Sequence, residues 1–369
     1  MRGWIVGGAT KALLSSRASQ EDDRVCSAYD KRVNCDTRTR CSFRTKPRAR
    51  GHDRRDDKAE NNEVENKIRR VQQSREQKGL FMTNRPLRCL ILSLLFSLTT
   101  TVTAQSDPPE GWVTPFPAFQ IIGPLYGVGM LDLSVFLIVS EEGHILINTG
   151  LADSTDHIRA NIASLGYELE DIRILLTMQA HWDHTAAMAE IKELADAEVW
   201  ATEADARVLE DGGFSDAHFG GRQTFEPVGV DRIIRQGDVI MLGDLQITVH
   251  EHPGHTEGSS SYTFQWTEAG ETYAVAIANM GTINAGKRLV VDPTYPGVAA
   301  DFATTYHDQK QMEVDVWVAA HNGQYNMHEK YQPGQAYSPD TFIDPEGFLA
   351  EITALEDAYL ETIAAELGR

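Results

Sequence analysis

Three apolar runs in this chain each end in a polar turn that carries a histidine, and one of those turns is crowded with ligating side chains. Ile172-Arg173-Ile174-Leu175-Leu176-Thr177 leads into Gln179-Ala180-His181-Trp182-Asp183-His184. Leu245-Gln246-Ile247-Thr248-Val249 leads into the turn containing His252-Pro253-Gly254-His255, and Val316-Trp317-Val318-Ala319-Ala320 leads into His321. Apolar runs of this length, bounded by polar residues, read as buried strands. A sheet holds the loops at its strand ends in fixed geometry, so these turns can converge. His and carboxylate are ligands that suit Zn²⁺. One histidine after a strand is ordinarily structural or solvated. The dense cluster with His181, Asp183 and His184, joined by His255 and His321, points instead to a metal site. His144, His157, His218, His250, His252, His307 and His328 read as surface or hydrogen-bonded residues, with His218 and His252 the first to check.

The first third of the chain has a different character. Of 34 Lys and Arg and 54 Asp and Glu, residues 1–104 hold 22 and 12, which leaves residues 105–369 with 12 and 42 and a net charge of −30. Residues 1–81 are polar and aperiodic, and such a segment does not bury enough surface to offset its ordering entropy. From Met82, the order is Arg85 and Arg88, the apolar core Leu90–Leu98, and the small-residue end Val102-Thr103-Ala104. This is the pattern of a secretory leader over 82–104, too short for a stable membrane span. Translation is therefore expected to start at Met82, with 1–81 either untranslated or a disordered extension, and with 105–369 as one domain. Cys26, Cys35, Cys41 and Cys89 all precede residue 105, so thiolate ligands and thiol nucleophiles are excluded from that domain. Its acidity argues against nucleic acid as a partner, because phosphate binding needs positive patches. The same acidity fits plain solubility, or a saline habitat that screens self-repulsion.

Along 105–369, a hairpin is expected around Glu141-Glu142-Gly143. A helix follows that carries Ile158, Ile162 and Leu165, capped by Ser154 or Asp153 and stopped by Gly166. After the strand Ile172–Thr177, the residues Met188, Ile191 and Leu194 share a helical face. Val199-Trp200 reads as a short strand and Ala204–Leu209 as a helix. Asp238–Leu242, Gln246–Glu251, Ser260–Trp266 and Tyr273–Ala278 read as strands. A helix near 299–311 precedes the strand Val314–Ala319, and a last amphipathic helix runs from about Pro345 to Leu367. This α+β order fits two sheets packed face to face with helices outside.

Together these motifs resemble the metallo-β-lactamase superfamily, and within it the subclass B3 metallo-β-lactamases. The family motif His-x-His-x-Asp-His is matched by Gln179-x-His181-x-Asp183-His184, and its Pro-Gly-His-Thr-x-Gly-Ser element by Pro253 to Ser259. The late histidine lies in Ala320-His321-Asn322-Gly323, and the resemblance covers essentially all of 110–365. It is strongest to the GOB-like branch, whose first motif position is Gln; Ile277-Ala278-Asn279-Met280 and Phe214-Ser215-Asp216 also resemble that branch. The resemblance implies a four-layer αβ/βα sandwich that binds one or two Zn²⁺ ions. Gln179, His181 and His255 would form the first site, and Asp183, His184 and His321 the second. It implies hydrolysis of the β-lactam amide by a metal-bound hydroxide, with Asp183 holding the second ion and orienting the hydroxide or passing a proton. An amide oxygen is a weaker zinc donor than imidazole, so the first site is expected to bind weakly. Asn148-Thr149-Gly150 also departs from the wider superfamily, where Asp is common before Thr, and only a tuning effect is expected there.

The same fold hosts thioesterases and lactonases, so the fold alone does not assign a substrate. Those relatives usually carry a metal-bridging Asp after the Pro-Gly-His-Thr element. The matching segment here, Ala276 to Thr282, has no carboxylate, which favours a β-lactamase over an exported lactone or thioester hydrolase. A purely structural zinc protein would ordinarily close its site with four protein ligands. Thr282, Asn284 and Ser259 are candidate donors to the substrate carboxylate. The expected setting is the periplasm, with a small-molecule β-lactam as the partner, no membrane association once the leader is removed, and a monomer by default.

Overall fold

The computed structural model describes residues 107–368. The expectations for 1–81 and for the leader at 82–104 lie outside the described residues.

Among the described residues, twelve strands form two sheets, each in sequence order. The first holds β1 (Phe119–Ile122), β2 (Leu125–Gly127), β3 (Phe136–Ser140), β4 (Gly143–Ile147), β5 (Ile172–Leu176), β6 (Glu198–Ala201) and β7 (Arg232–Ile233). The second holds β8 (Val239–Leu242), β9 (Leu245–Glu251), β10 (Ser260–Glu268), β11 (Glu271–Ala278) and β12 (Val316–Ala319). Connections of two or eight residues give antiparallel neighbours from β1 to β4 and from β8 to β11. Longer crossovers give parallel neighbours from β4 to β7 and from β11 to β12, as a parallel connection requires. Helices Thr155–Ser164, Met188–Ala195, Glu203–Asp211 and Val298–Gln309 occupy those crossovers.

The two-residue period of the strands sorts side chains between cores. Phe136, Ile147 and Leu176 are cross-strand partners, and they share the larger core with Ile247, Val249, Tyr262 and Val275 of the second sheet. One residue along, Leu137, Leu146, Leu175 and Val199 are again partners. They face the other way, onto Ile158, Ile162, Met188 and Ile191 of the flanking helices. Beyond the second sheet, Trp317 packs on Phe348 with ring centroids 5.5 Å apart, and Phe302 and Tyr306 meet Tyr359 of the helix Pro345–Glu366. The order is helix, sheet, sheet, helix, which is the αβ/βα sandwich. No helix among the described residues is long and apolar enough to cross a membrane.

Two local expectations need correction. Ser154 precedes the helix Thr155–Ser164 but makes no capping hydrogen bond, because Ala152–Ser154 is already a 3₁₀ turn leading into it. Leu194 is exposed although Met188 and Ile191 are buried, since a helix of only eight residues presents a narrow buried stripe.

The strand directions set up the site. β4, β5 and β6 are parallel and end on one edge of the first sheet, while β9, β11 and β12 run the same way in the second. The segments that begin at Asn148, Thr177, Thr202, His252, Asn279 and Ala320 are therefore all strand exits.

Candidate metal centre

Five of the six expected ligands meet in two adjoining groups. In one, His255 Nε2 lies 3.1 Å from His181 Nδ1. In the other, Asp183 Oδ2 is 3.3 Å from His184 Nε2 and 3.6 Å from His321 Nε2. Among the described residues, Asp183, His184 and His321 are the one cluster of three His, Cys, Asp or Glu with ligand atoms all within 4.8 Å. Gln179, the sixth, is buried two residues before His181. Its backbone is pinned by Thr177 Oγ1, which donates to Gln179 O at 2.6 Å and accepts from Gln179 N at 3.2 Å.

The loop after β5 owes its shape to the end of β4. Asn148 sits at φ +64°, a left-handed conformation that Asn tolerates better than most residues. Its Oδ1 accepts from Met178 N at 3.0 Å and Thr177 Oγ1 at 3.3 Å, and its Nδ2 donates to Ser134 O at 3.3 Å. Thr149 N donates to His184 O at 2.7 Å, and Thr185 Oγ1 to His181 O at 2.9 Å. Asn148 therefore organises the ligand loop directly and does more than tune it.

The His255 turn is tied to the same loop by Asp205, on the helix Glu203–Asp211. Asp205 Oδ2 accepts from Ala180 N at 2.9 Å and Thr256 Oγ1 at 3.3 Å. Burial pushes this carboxyl up to about 6, against the pull of Thr256 and His181. A Cβ at Gly258 would fall 2.4 Å from both Asp205 N and Thr202 Oγ1, so only glycine permits this approach. Lys287 reaches under the turn from the other side, donating to Gly254 O at 3.1 Å and His255 O at 2.7 Å. Burial lowers its ammonium to about 8, opposed by the charges of Asp216 and Glu257.

Each histidine's second nitrogen also has a neighbour, except in one case. His255 Nδ1 lies 2.7 Å from Thr282 O and 2.9 Å from Thr282 Oγ1. His181 Nε2 is 3.3 Å from Asp216 Oδ2, and His321 Nδ1 is 3.8 Å from Asp132 Oδ2. Burial raises the Asp216 carboxyl, but His181 and the backbone N–H groups of Phe219 and His218 hold it below the usual range. His184 is the exception, with neither nitrogen hydrogen-bonded although the ring is fully buried, and His181 Nε2, despite its carboxylate neighbour, is likewise without an aligned hydrogen bond.

These residues fit a zinc ion. Unpaired buried imidazole nitrogens are costly, about 1–3 kcal/mol each, and a metal ion would use one of them. Burial, with the charges of His321 and His181, pushes His184 well below its ordinary value. Burial, with the charges of His181 and Lys287, does the same for His255. The neutral ring is the ligand form. Burial also raises the Asp183 carboxyl, although His181 and His321 oppose it. An ionised Asp183 in this pocket calls for a cation beside it.

The expected substrate donors are placed unequally. Ser259 is fully buried, its hydroxyl accepting from Thr256 N at 2.9 Å and bonded to Thr256 Oγ1 at 2.8 Å, so it braces the turn. The Thr282 hydroxyl is turned behind His255. Asn284 is half-buried on the loop after β11, where its O accepts from Lys287 N at 2.9 Å. His252 is bonded to Ser261 Oγ at 2.7 Å and lies outside the ligand groups. The sequence reading did not pick out Asp205, Asp132 or Lys287, nor Trp112, whose ring lies 5.3 Å from that of His321 and 5.8 Å from that of Trp182. Nothing in sequence marks the buried Asp205 and the half-exposed Asp132 among so many other acids. The Trp112 helix, Glu110–Val113, is four residues long and carries no periodic signal.

Comparison with known proteins agrees with this geometry. Residues 129–265 match the profile of the family described as the metallo-beta-lactamase superfamily. The chain is 39% identical to the crystal structure of the metallo-beta-lactamase GOB-18 from Elizabethkingia meningoseptica, covering 71% of this chain and 97% of that one with a TM-score of 0.69. It is 42% identical to the class B3 di-zinc metallo-beta-lactamase LRA-12 from an Alaskan soil metagenome, covering 70% and 98% with a TM-score of 0.68. Among curated proteins, it is 29% identical over 173 residues to a hydroxyacylglutathione hydrolase of Bradyrhizobium sp., covering 45% of this chain and 57% of that protein. The match thus spans little more than half the length of that relative.

Proposed function

Because the chain belongs to the metallo-β-lactamase superfamily, and is thus a hydrolase of that fold, we propose that it is a subclass B3 β-lactamase of the branch with glutamine as its first zinc ligand. The observation that carries this reading is the adjacency of two ligand groups, His181 with His255 and Asp183 with His184 and His321. The di-zinc neighbour at 42% identity supports two ions. Export by the leader at 82–104 into the periplasm fits, since β-lactams act outside the cytoplasmic membrane.

Zinc, when bound, supplies a Lewis acid for the β-lactam carbonyl and lowers the pKa of water. The chain's own residues prepare the place for it. Asp205, Lys287 and Thr282 hold the His255 turn so that Nε2 faces His181 Nδ1. Asn148 and Thr149 hold the loop that presents Asp183 and His184. Asp183 Oδ2, central to its group, holds charge there and can take or give a proton. Asn284 is the half-exposed donor available to the substrate carboxylate.

A second reading, hydrolysis of a thioester, has one observation in its favour: the curated relatives include hydroxyacylglutathione hydrolases and an acyl-coenzyme A thioesterase. The carboxylate-free segment Ala276–Thr282 counts against it. Nitrocefin turnover by the purified protein separates the two. The expected result is turnover that a chelator abolishes and added zinc restores. Turnover of a hydroxyacyl thioester or a lactone, with none of any β-lactam, would favour the second reading. Turnover that survives complete zinc removal would sink both.

A further inference from the structure

We propose that Asp216 is a positioning residue that holds His181 from behind and so couples the glycine-flanked loop 212–222 to the first metal position. This rests on the two-site reading above.

Asp216 is buried and divides its two oxygens between two tasks. Oδ1 accepts from the backbone N–H groups of His218 (2.8 Å) and Phe219, folding its own loop into a tight turn. Oδ2 faces His181 Nε2 at 3.3 Å, an ion-pair distance without hydrogen-bond alignment. The Phe219 ring, set by that same turn, stands edge-on to the His181 ring at 4.9 Å. His181 is therefore held by a carboxylate and a ring that one turn delivers together. Glycines with positive φ flank this turn on both sides, at Gly212, Gly213, Gly220 and Gly221. Residues at both ends of the loop thus adopt backbone that only glycine takes readily, and the carboxylate is what ties the middle to the site.

The chemistry follows from the distinct roles of the two ring nitrogens. A carboxylate facing Nε2 favours the tautomer with its proton on Nε2, which leaves the Nδ1 lone pair open to a metal. In the zinc-free protein this requires His255 to carry its own proton on Nε2, donating across the 3.1 Å gap to His181 Nδ1, with Thr282 Oγ1 donating to His255 Nδ1 at 2.9 Å. A first site whose third ligand is the weak amide of Gln179 has little affinity to spare. It depends more on this arrangement than a three-histidine site does.

Asp216→Asn separates positioning from loop folding. The amide oxygen can still accept the N–H groups of His218 and Phe219, so the turn survives. Its NH₂ then faces His181 Nε2, which must become an acceptor, and the ring proton moves to Nδ1. Two readouts follow. Long-range ¹H–¹⁵N spectra of the zinc-free protein are expected to show His181 with its proton on Nε2 in the parent chain and on Nδ1 in the variant. Zinc titration is expected to show first-site affinity reduced roughly 10–100-fold, with the second site unchanged and Asp216→Glu recovering part of the loss. A parent His181 already protonated on Nδ1, or a variant with both zinc affinities intact, would overturn the proposal. The parent spectrum needs neither metal nor variant, so it decides the matter even if Asp216→Asn fails to fold. A parent protein that binds no zinc at all would overturn the functional reading and leave the tautomer result standing.

Discussion

Replacing Asp183 by asparagine is expected to lower kcat/KM for β-lactam hydrolysis roughly a thousandfold, the effect of losing about 4 kcal/mol of transition-state stabilisation. Asp183 is the single carboxylate in the cluster with His184 and His321. Its removal leaves two neutral imidazoles to hold a divalent cation. The variant is also expected to lose the second zinc while keeping its fold. Burial already pushes the Asp183 carboxyl up, so in the zinc-free protein a neutral amide of the same shape relieves a cost. The zinc-free melting temperature should stay level or rise even as activity collapses. Zinc content, kcat/KM and a thermal melt check this together. Activity within tenfold of the parent would mean that Asp183 does not lie at the reacting centre.

The second large effect is on stability. Asn148→Ala is expected to cost about 3–5 kcal/mol. It would strip an acceptor from Met178 N and Thr177 Oγ1 and a donor from Ser134 O, all in the buried end of the first sheet. Leaving buried groups unpaired costs about 1–3 kcal/mol each, with partial relief from relaxation. Holding a residue other than glycine or asparagine at φ +64° adds roughly 1–2 kcal/mol. Urea denaturation of the zinc-free protein measures the loss. Asn148→Asp, the residue common in the wider superfamily, keeps the acceptor and loses only the donor, so a smaller cost is expected. A change below about 1 kcal/mol in the alanine variant would contradict the part given to Asn148 in holding the ligand loop.

The parts of the architecture that were legible in the sequence are those with strong local periodicity. Val199-Trp200, the strands from Asp238 to Ala278 and the last helix all appear within a few residues of where their patterning puts them. β1 and β2 were not, because each is only three or four residues long and Gly123-Pro124 separates them, which leaves no run to read. The side chains proposed as ligands stood out because ligands must lie close in space, and here four of them lie within six residues of sequence. Their supports did not stand out. Asp205 and Lys287 come from a helix and the loop after β11, and each matters through a fold-specific contact with the histidine turns. Asp216 stood out only within Phe214-Ser215-Asp216, as a likeness to the GOB-like branch with no role attached. Ser259 and Thr282 carried a reasonable signal for the wrong reason. Their hydroxyls sit near the site, but they face the turn and the back of His255. Sequence shows that a hydroxyl is nearby and does not show which way it points.

The central claim is that six side chains from three strand exits define two neighbouring zinc positions. Anomalous diffraction at the zinc edge, from crystals grown with zinc, tests it most directly. Two peaks are expected, a strong one between Asp183, His184 and His321 and a weaker one beside Gln179, His181 and His255, weaker because an amide oxygen replaces an imidazole there. A sole peak elsewhere on the molecule, or none within reach of these side chains, would contradict the account.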